Sequence, residues 1–243
     1  MAENVSARGW AVGVVVPACN EELTIAACID SIFTALDACA EVESRWVVVV
    51  ADSCNDKTAE RARARLGGRG EVVECNVASP GMARRLGADR VLMQYRARAS
   101  TDIWIANTDA DSEPDADWIA QQLALADQEY CGVAGIVRVA AIDCQRPEVF
   151  ELWRNDYILH ADGTHPHVHG ANLGIRADAY LDAGGWSSLA LAEDHCLWRR
   201  VRACGWRVAS SIASVVTTSG RLKGRASGGF ADTLRQKVEL LYA

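Results

Sequence analysis

Val12-Gly13-Val14-Val15-Val16-Pro17-Ala18-Cys19-Asn20-Glu21-Glu22 is the stretch that decides the fold. A valine-rich run closed by proline reads as a strand buried on both faces, the kind that parallel sheets use. Asn20 is a good helix N-cap, and Glu21 and Glu22 suit the positive end of a helix dipole. Ile25, Ile29, Ile32, Phe33 and Leu36 follow at helical spacing and give one apolar face. The unit then recurs. Trp46 to Val50 is a second buried strand ending at Ala51-Asp52, and Asn55-Asp56-Lys57-Thr58 opens a helix to about Leu66. After the turn Gly67-Gly68-Arg69-Gly70, Glu71 to Val77 is a third strand. Pro80-Gly81 opens a third helix, Met82 to Gln94. Ile103 to Ala106 is a fourth strand. Pro114 sits near the start of a helix through Ala126, where its missing N–H costs nothing. Strands alternating with helices imply right-handed crossovers. The expected class is α/β, a Rossmann-like, mostly parallel sheet with helices on both faces.

The second half is less regular. Val133 to Ile142 reads as a strand, and Glu148 to Leu159 as a helix carrying Phe150, Trp153 and Tyr157. A loop from His165 to Gly170 enters a strand through Ile175. Two short helices follow, Ala177 to Ala183 and Asp194 to Ala203, each stopped by glycine. Val215 to Thr218 is a strand, Gly220 to Gly229 a loop, and a last helix closes the chain. No repeat or linker divides the 243 residues. The expectation is one domain over 1–243, with a nucleotide-binding half to about residue 112 and an acceptor-facing half from about 113.

A formal net charge of -7 disfavours a nucleic-acid partner, which wants a basic footprint. Nine cysteines form no C-x-x-C pair, and several sit at apolar positions, as Cys28 does beside Ile25, Ile29 and Ile32. An odd count without a secretory pattern suggests reduced thiols and a cytoplasmic protein. No apolar run approaches the roughly 20 residues of a membrane span.

Ligands of open α/β sheets sit beyond the C-terminal strand ends. Three polar clusters fall there: Pro17 to Glu22, Asp52 to Asp56, and Asp109-Ala110-Asp111. A single Asp at such a place is commonly a helix cap; three clusters on one edge are harder to dismiss. Two carboxylates two residues apart can converge on a hard cation such as Mg2+ or Mn2+, which prefers oxygen ligands. They could equally decorate the N-terminus of the helix near Pro114.

The string Val14 to Glu22 resembles the opening motif of family 2 glycosyltransferases. Ala51 to Thr58 resembles that family's second motif, and Ala83-Arg84-Arg85-Leu86-Gly87 its Ala-Arg-Asn-x-Gly element. Thr108 to Ser112 is similar to its metal motif. Gly170 to Arg176 and Gly184-Gly185-Trp186 resemble acceptor-side elements, and Glu193-Asp194 resembles the Glu-Asp motif. The matches run in family order over most of the chain. The resemblance implies a GT-A fold and transfer from a nucleotide-diphosphate sugar to an acceptor hydroxyl of a small molecule, lipid or glycan. It also implies a divalent cation, Mn2+ or Mg2+, and inversion at the anomeric centre. By the same resemblance Pro17, Ala18, Asn20 and Glu22 line the nucleotide pocket. Asp52 bonds the base, and Arg84 lies near base or diphosphate. Asp111 holds the metal directly, Asp109 touches ribose or a metal-bound water, and Asp194 is the catalytic base. Ala51 departs from the motif by replacing its first acidic residue. The Gln-x-x-Arg-Trp element of processive synthases is absent, which argues against a polymerase.

His165, His167 and His169 alternate and would face one side of a strand. They could bind zinc, contact substrate or serve structure, and no nearby Cys completes a zinc set. Arg221, Lys223 and Arg225 lie in a Gly-rich loop that could fold over a diphosphate. Trp153, Tyr157 and Trp186 could form a sugar platform or belong to the core. Asn172 and Glu193 are further acceptor-side candidates. Two other functions remain open at this point: a sugar-nucleotide pyrophosphorylase, although the first loop is neither Gly-rich nor basic, and a non-catalytic nucleotide-sugar-binding module.

Overall fold

β1 (Trp10–Ala18) is the strand announced by the valine run, and it lies at the centre of one sheet. A computed structural model describes residues 9–140, 157–189 and 191–221, together with 224, 235 and 239. α1 (Ile25–Ala38), β2 (Val42–Asp52), α2 (Thr58–Leu66), β3 (Gly70–Cys75), α3 (Pro80–Gln94) and β4 (Ile103–Asn107) follow in the expected alternation. Then come β5 (Ser112–Pro114), α4 (Trp118–Ala126), β6 (Gly132–Val139), β7 (Leu173–Arg176), α5 (Ala177–Asp182), α6 (Glu193–Ala203) and β8 (Val208–Thr218). The sheet order is β3-β2-β1-β4-β7-β6-β8-β5. The first four strands of this order, β3-β2-β1-β4, are mutually parallel. β7 runs antiparallel between β4 and β6, and β5 antiparallel to β8, while β6 and β8 pair in parallel.

Alternation along β1 sends its side chains to two cores. Val12, Val14 and Val16 meet Ile25, Ile29, Ile32 and Leu36 of α1 and Ile119 and Leu123 of α4. Val15 faces Ala83, Ala88 and Val91 of α3, in a core that Leu197 and Val201 of α6 extend. A two-sided strand needs apolar residues at every position, which is why its run reads as nearly continuous. Gly87 lets α3 press onto β1, because a Cβ there would stand 2.4 Å from Val15 Cγ1. That close approach sets the depth of Arg84, one turn earlier on the same helix.

Three local expectations are corrected. Asn20 is not an N-cap: α1 begins at Ile25 behind Thr24, and Asn20 has φ 56 in the loop before it. Glu21 and Glu22 therefore precede the helix rather than decorating its first turn. Pro114 lies in β5, not at a helix start, because Ser112 to Pro114 pair with Val216 to Thr218 and delay α4 to Trp118. The strands of the second half also extend differently: β8 begins at Val208, seven residues before the expected Val215. The helix expected at Glu148 to Leu159 falls mostly outside the described residues, as do Trp153, Lys223, Arg225 and most of the closing helix. Among the described residues no helix is long and apolar enough to cross a membrane. Cys28, Cys39, Cys54, Cys75, Cys131, Cys196 and Cys204 are thiols outside any disulfide.

Candidate active site

Because β2, β1 and β4 are adjacent and parallel, their C-terminal ends share one edge. The sheet order reverses there, with β2 and β4 on opposite sides of β1, which is where crevices form in doubly wound sheets. The loops after β1 and β2 are stitched together. Asn20 Oδ1 accepts from the Asn55 N–H at 2.8 Å, and the Glu21 N–H donates to Thr58 Oγ1 at 2.7 Å. The Glu22 N–H donates to Asp56 Oδ2 at 3.1 Å. Asp52 clamps the loop after β3: its oxygens accept the N–H groups of Val77, Ala78 and Ser79 at 2.8, 3.0 and 3.1 Å. Both loops are thus held before any ligand arrives.

Arg84 ties the later clusters to this edge. It is 4% exposed, and it donates through Nη2 to Asp109 Oδ1 at 2.6 Å and through Nη1 to Glu193 Oε1. Burial opposes its charge, but Asp109, Glu193 and Asp194 outweigh that and hold the guanidinium more firmly protonated than usual. Gly170 makes room for it, since a Cβ there would lie 2.6 Å from Arg84 Cζ. The Gly170 N–H in turn donates to Asp194 Oδ2 at 2.9 Å, and the His195 N–H to Asp194 Oδ1 at 2.7 Å. On the other flank Arg221 donates to both oxygens of Glu21 at 2.7 and 2.6 Å and lies 3.0 Å from Asp111 Oδ2. Burial and the neighbouring Asp109 push the Asp111 carboxyl up to about 6. The edge thus gathers Glu21, Asp109, Asp111, Glu193 and Asp194 around two guanidinium groups.

Residues 13–182 match the profile described as Glycosyl transferase family 2. This chain belongs to that family. Comparison with curated proteins gives no match. Among solved structures, S. aureus TarS 1–349 in complex with UDP-GlcNAc is similar at a TM-score of 0.66 and 15% identity, over 95% of this chain and 65% of that one. Mannosyltransferase PcManGT from Pyrobaculum calidifontis, in complex with GDP-Man and Mn2+, is similar at 0.61 and 20%, over 93% of this chain and 60% of that one. A mycobacterial protein is similar at 0.59 and 21%, over 96% and 74%. The chain thus spans 65% and 60% of the lengths of TarS 1–349 and PcManGT. These likenesses establish the GT-A arrangement of an α/β sheet flanked by helices.

Within this family 2 chain, several expected site residues serve the scaffold instead. Asn172 is fully buried. Its Nδ2 donates to Ile136 O and Ser214 O at 2.8 and 3.0 Å, and its Oδ1 accepts from Trp118 Nε1 at 2.8 Å. It joins β6, β8 and α4, and an acceptor cannot reach it. Trp186 is likewise fully buried, with Arg84 Cζ 5.3 Å from its ring centroid, so it supports the arginine rather than offering a sugar platform. Arg84 braces the Asp109 and Glu193 segments with its buried guanidinium. Glu193 is the buried half of the Glu-Asp pair, and Asp194 the more accessible half. Pro17 and Ala18 end β1 at the shared edge as expected, with Pro17 partly exposed.

The alternating histidines do share a side. The rings of His165, His167 and His169 stack 5.8 Å apart in succession, and Tyr157 lies 4.0 Å from His167. Each Nε2 is spent on the protein: His165 on Ala134 O, His167 on Ile158 O, His169 on the Tyr157 hydroxyl. The Val137 N–H donates to that hydroxyl at 3.1 Å. Burial pushes the His169 pKa down to about 4, against a partial offset from Asp194. A folded state with the lower pKa binds fewer protons, so acid favours unfolding between the ordinary value of 6.5 and about 4. Between those limits the wild type is expected to lose about 2 kcal/mol, since the ring keeps some contact with water. His169→Gln should lack this component when urea denaturation is compared at the two pH values; identical slopes would reject it.

Sequence reasoning missed Glu21 and Thr58. Glu21 read as a helix-dipole charge, yet it is 6% exposed and anchors Arg221. Thr58 is fully buried because it takes the Glu21 N–H and donates to Asp56. The available signal was their place inside Val14 to Glu22 and Ala51 to Thr58, the two stretches that resemble family motifs.

Proposed function

We propose that this family 2 protein transfers a glycosyl unit from a nucleotide-diphosphate sugar to an acceptor hydroxyl, with inversion and with a divalent cation. The observation that carries the proposal is Arg84, which binds the Asp109 segment and the Glu193-Asp194 pair to the same sheet edge through one buried guanidinium. UDP-GlcNAc in TarS and GDP-Man in PcManGT support a donor of this class.

Asp194 would act as the base. Two backbone N–H groups fix its carboxylate on the first turn of α6. It takes the acceptor proton as the acceptor oxygen bonds to the anomeric carbon and the bond to the diphosphate oxygen breaks; the nucleoside diphosphate leaves with that electron pair. One carboxylate suffices for such an in-line displacement. Asp52 would meet the base through a lone pair that its Oδ2 keeps beyond the Ser79 N–H, beside Pro17, Ala18, Asn20 and Glu22.

Asp111, with Asp109 and Glu21 near it, offers only hard oxygen donors, which suits Mg2+ or Mn2+. Among the described residues no three His, Cys, Asp or Glu side chains could enclose a metal by themselves. A cation of this class is commonly held by one or two carboxylates and completed by substrate phosphates. When bound, it would neutralise the departing diphosphate. Asp111 and Asp109 would hold it.

A thermal-shift screen of nucleoside diphosphates with and without Mn2+ tests the reading. A ligand at about 100 times its Kd stabilises by about 2.7 kcal/mol, enough to move the unfolding midpoint by several degrees. A shift requiring both nucleotide and Mn2+ is expected. No shift with any nucleotide would sink the proposal, and release of pyrophosphate rather than nucleoside diphosphate during turnover would replace it with a pyrophosphorylase.

A further inference from the structure

The chain's own cation already stands against Asp111. Arg221 follows the end of β8 by three residues, and its fork grips Glu21 at 2.7 and 2.6 Å while Nη2 lies 3.0 Å from Asp111 Oδ2. A bidentate fork fixes the plane of a guanidinium on its acceptor. Glu21 is itself anchored through its N–H on Thr58. The backbone behind the fork is tied as well: the Ser219 N–H donates to Asp111 O at 3.1 Å, and the Arg221 N–H to Ser219 Oγ at 3.3 Å. Turning the Arg221 side chain alone would uncover Asp111.

The geometry points to Arg221 as a built-in competitor of the divalent cation, a guanidinium that holds Asp111 in the nucleotide-free protein and must leave it before a metal can take it. This rests on the reading of Asp111 as a metal-holding residue. Two cations at contact with one carboxylate oxygen repel each other strongly, so occupancy by one lowers affinity for the other. A diphosphate changes the balance, because it gives the released guanidinium a new anionic partner. Cation and nucleotide then bind as a coupled pair, each raising the affinity of the other by the same factor. Free Mn2+ alone meets a closed carboxylate.

The test is Mn2+ binding, read from the paramagnetic resonance signal of the free ion. Mn2+ is titrated into the wild-type protein, Arg221→Gln and Arg221→Lys, first alone and then with saturating UDP or GDP. Nucleotide-free Arg221→Gln is expected to bind Mn2+ about tenfold more tightly than wild type, with Arg221→Lys between them. Added nucleotide should then improve binding less in Arg221→Gln than in wild type. Arg221→Gln leaves Glu21 without its fork, so a Glu21→Gln, Arg221→Gln double variant, in which no charge is stranded, repeats the measurement should the single variant fold poorly. Equal or weaker Mn2+ affinity in these variants overturns the competition and leaves the metal reading standing. No Mn2+ binding to any of the proteins, with or without nucleotide, removes the metal reading and this inference together.

Discussion

Asp194→Asn is expected to slow glycosyl transfer by about 10²- to 10⁴-fold, the usual contribution of a positioned base. Asparagine keeps the shape and one acceptor oxygen, so the Gly170 N–H can still be satisfied. The His195 N–H loses its partner, because the amide nitrogen cannot accept, and a small loss of stability follows. What disappears altogether is a group able to take the acceptor proton. Nucleoside diphosphate binding should persist, since Asp52, Asn20 and Glu22 lie on other loops. Steady-state kinetics and calorimetric titration separate the two effects. Near-normal turnover would remove Asp194 from the mechanism, and loss of both turnover and nucleotide binding would make it a structural residue.

Arg84→Met is expected to destabilise the fold by about 3–5 kcal/mol, the cost of leaving a buried charge without its partner. For a chain of this size that is roughly 10 °C in the midpoint of thermal unfolding. Glu193 suffers most, because its side chain is 10% exposed, whereas that of Asp109 is 36% exposed and can turn to water. Burial already pushes the Glu193 carboxyl up against the opposing pull of Arg84. Adding Glu193→Gln to Arg84→Met should therefore recover part of the loss, and the double-mutant cycle reads the coupling directly. Additive penalties would show that the two side chains act independently, contrary to their contact.

The parallel half of the fold was legible because strands buried on both faces advertise themselves as unbroken apolar runs, as Val12 to Val16 and Trp46 to Val50 do. The clusters at their ends were legible for the same reason, since strand order fixes which ends are neighbours. Local readings failed where a distant partner decided the conformation. Asn20 has the chemistry of an N-cap, but Asn55 captures its side chain 35 residues later and the backbone turns left-handed. Trp186 has the chemistry of a sugar platform, but Arg84 and the core of α3 and α6 enclose it. Asn172 looks like a polar contact in a loop, yet three buried groups from β6, β8 and α4 claim it. No local pattern encodes the Arg84 to Glu193 or Glu21 to Arg221 pairs, whose members stand 109 and 200 positions apart.

The second of those pairs bears on when the protein comes alive during its synthesis. The parallel strands and the Asp109-Ala110-Asp111 turn leave the ribosome before the second half, and domains condense from the N-terminal side as they emerge. Asp194, Glu193 and Arg221 are among the later residues to appear. Until they arrive, the nascent half carries its carboxylates without Arg221, the guanidinium that covers Asp111. The charged edge is thus completed late, when Arg221 comes back to the loop where the first strand stopped.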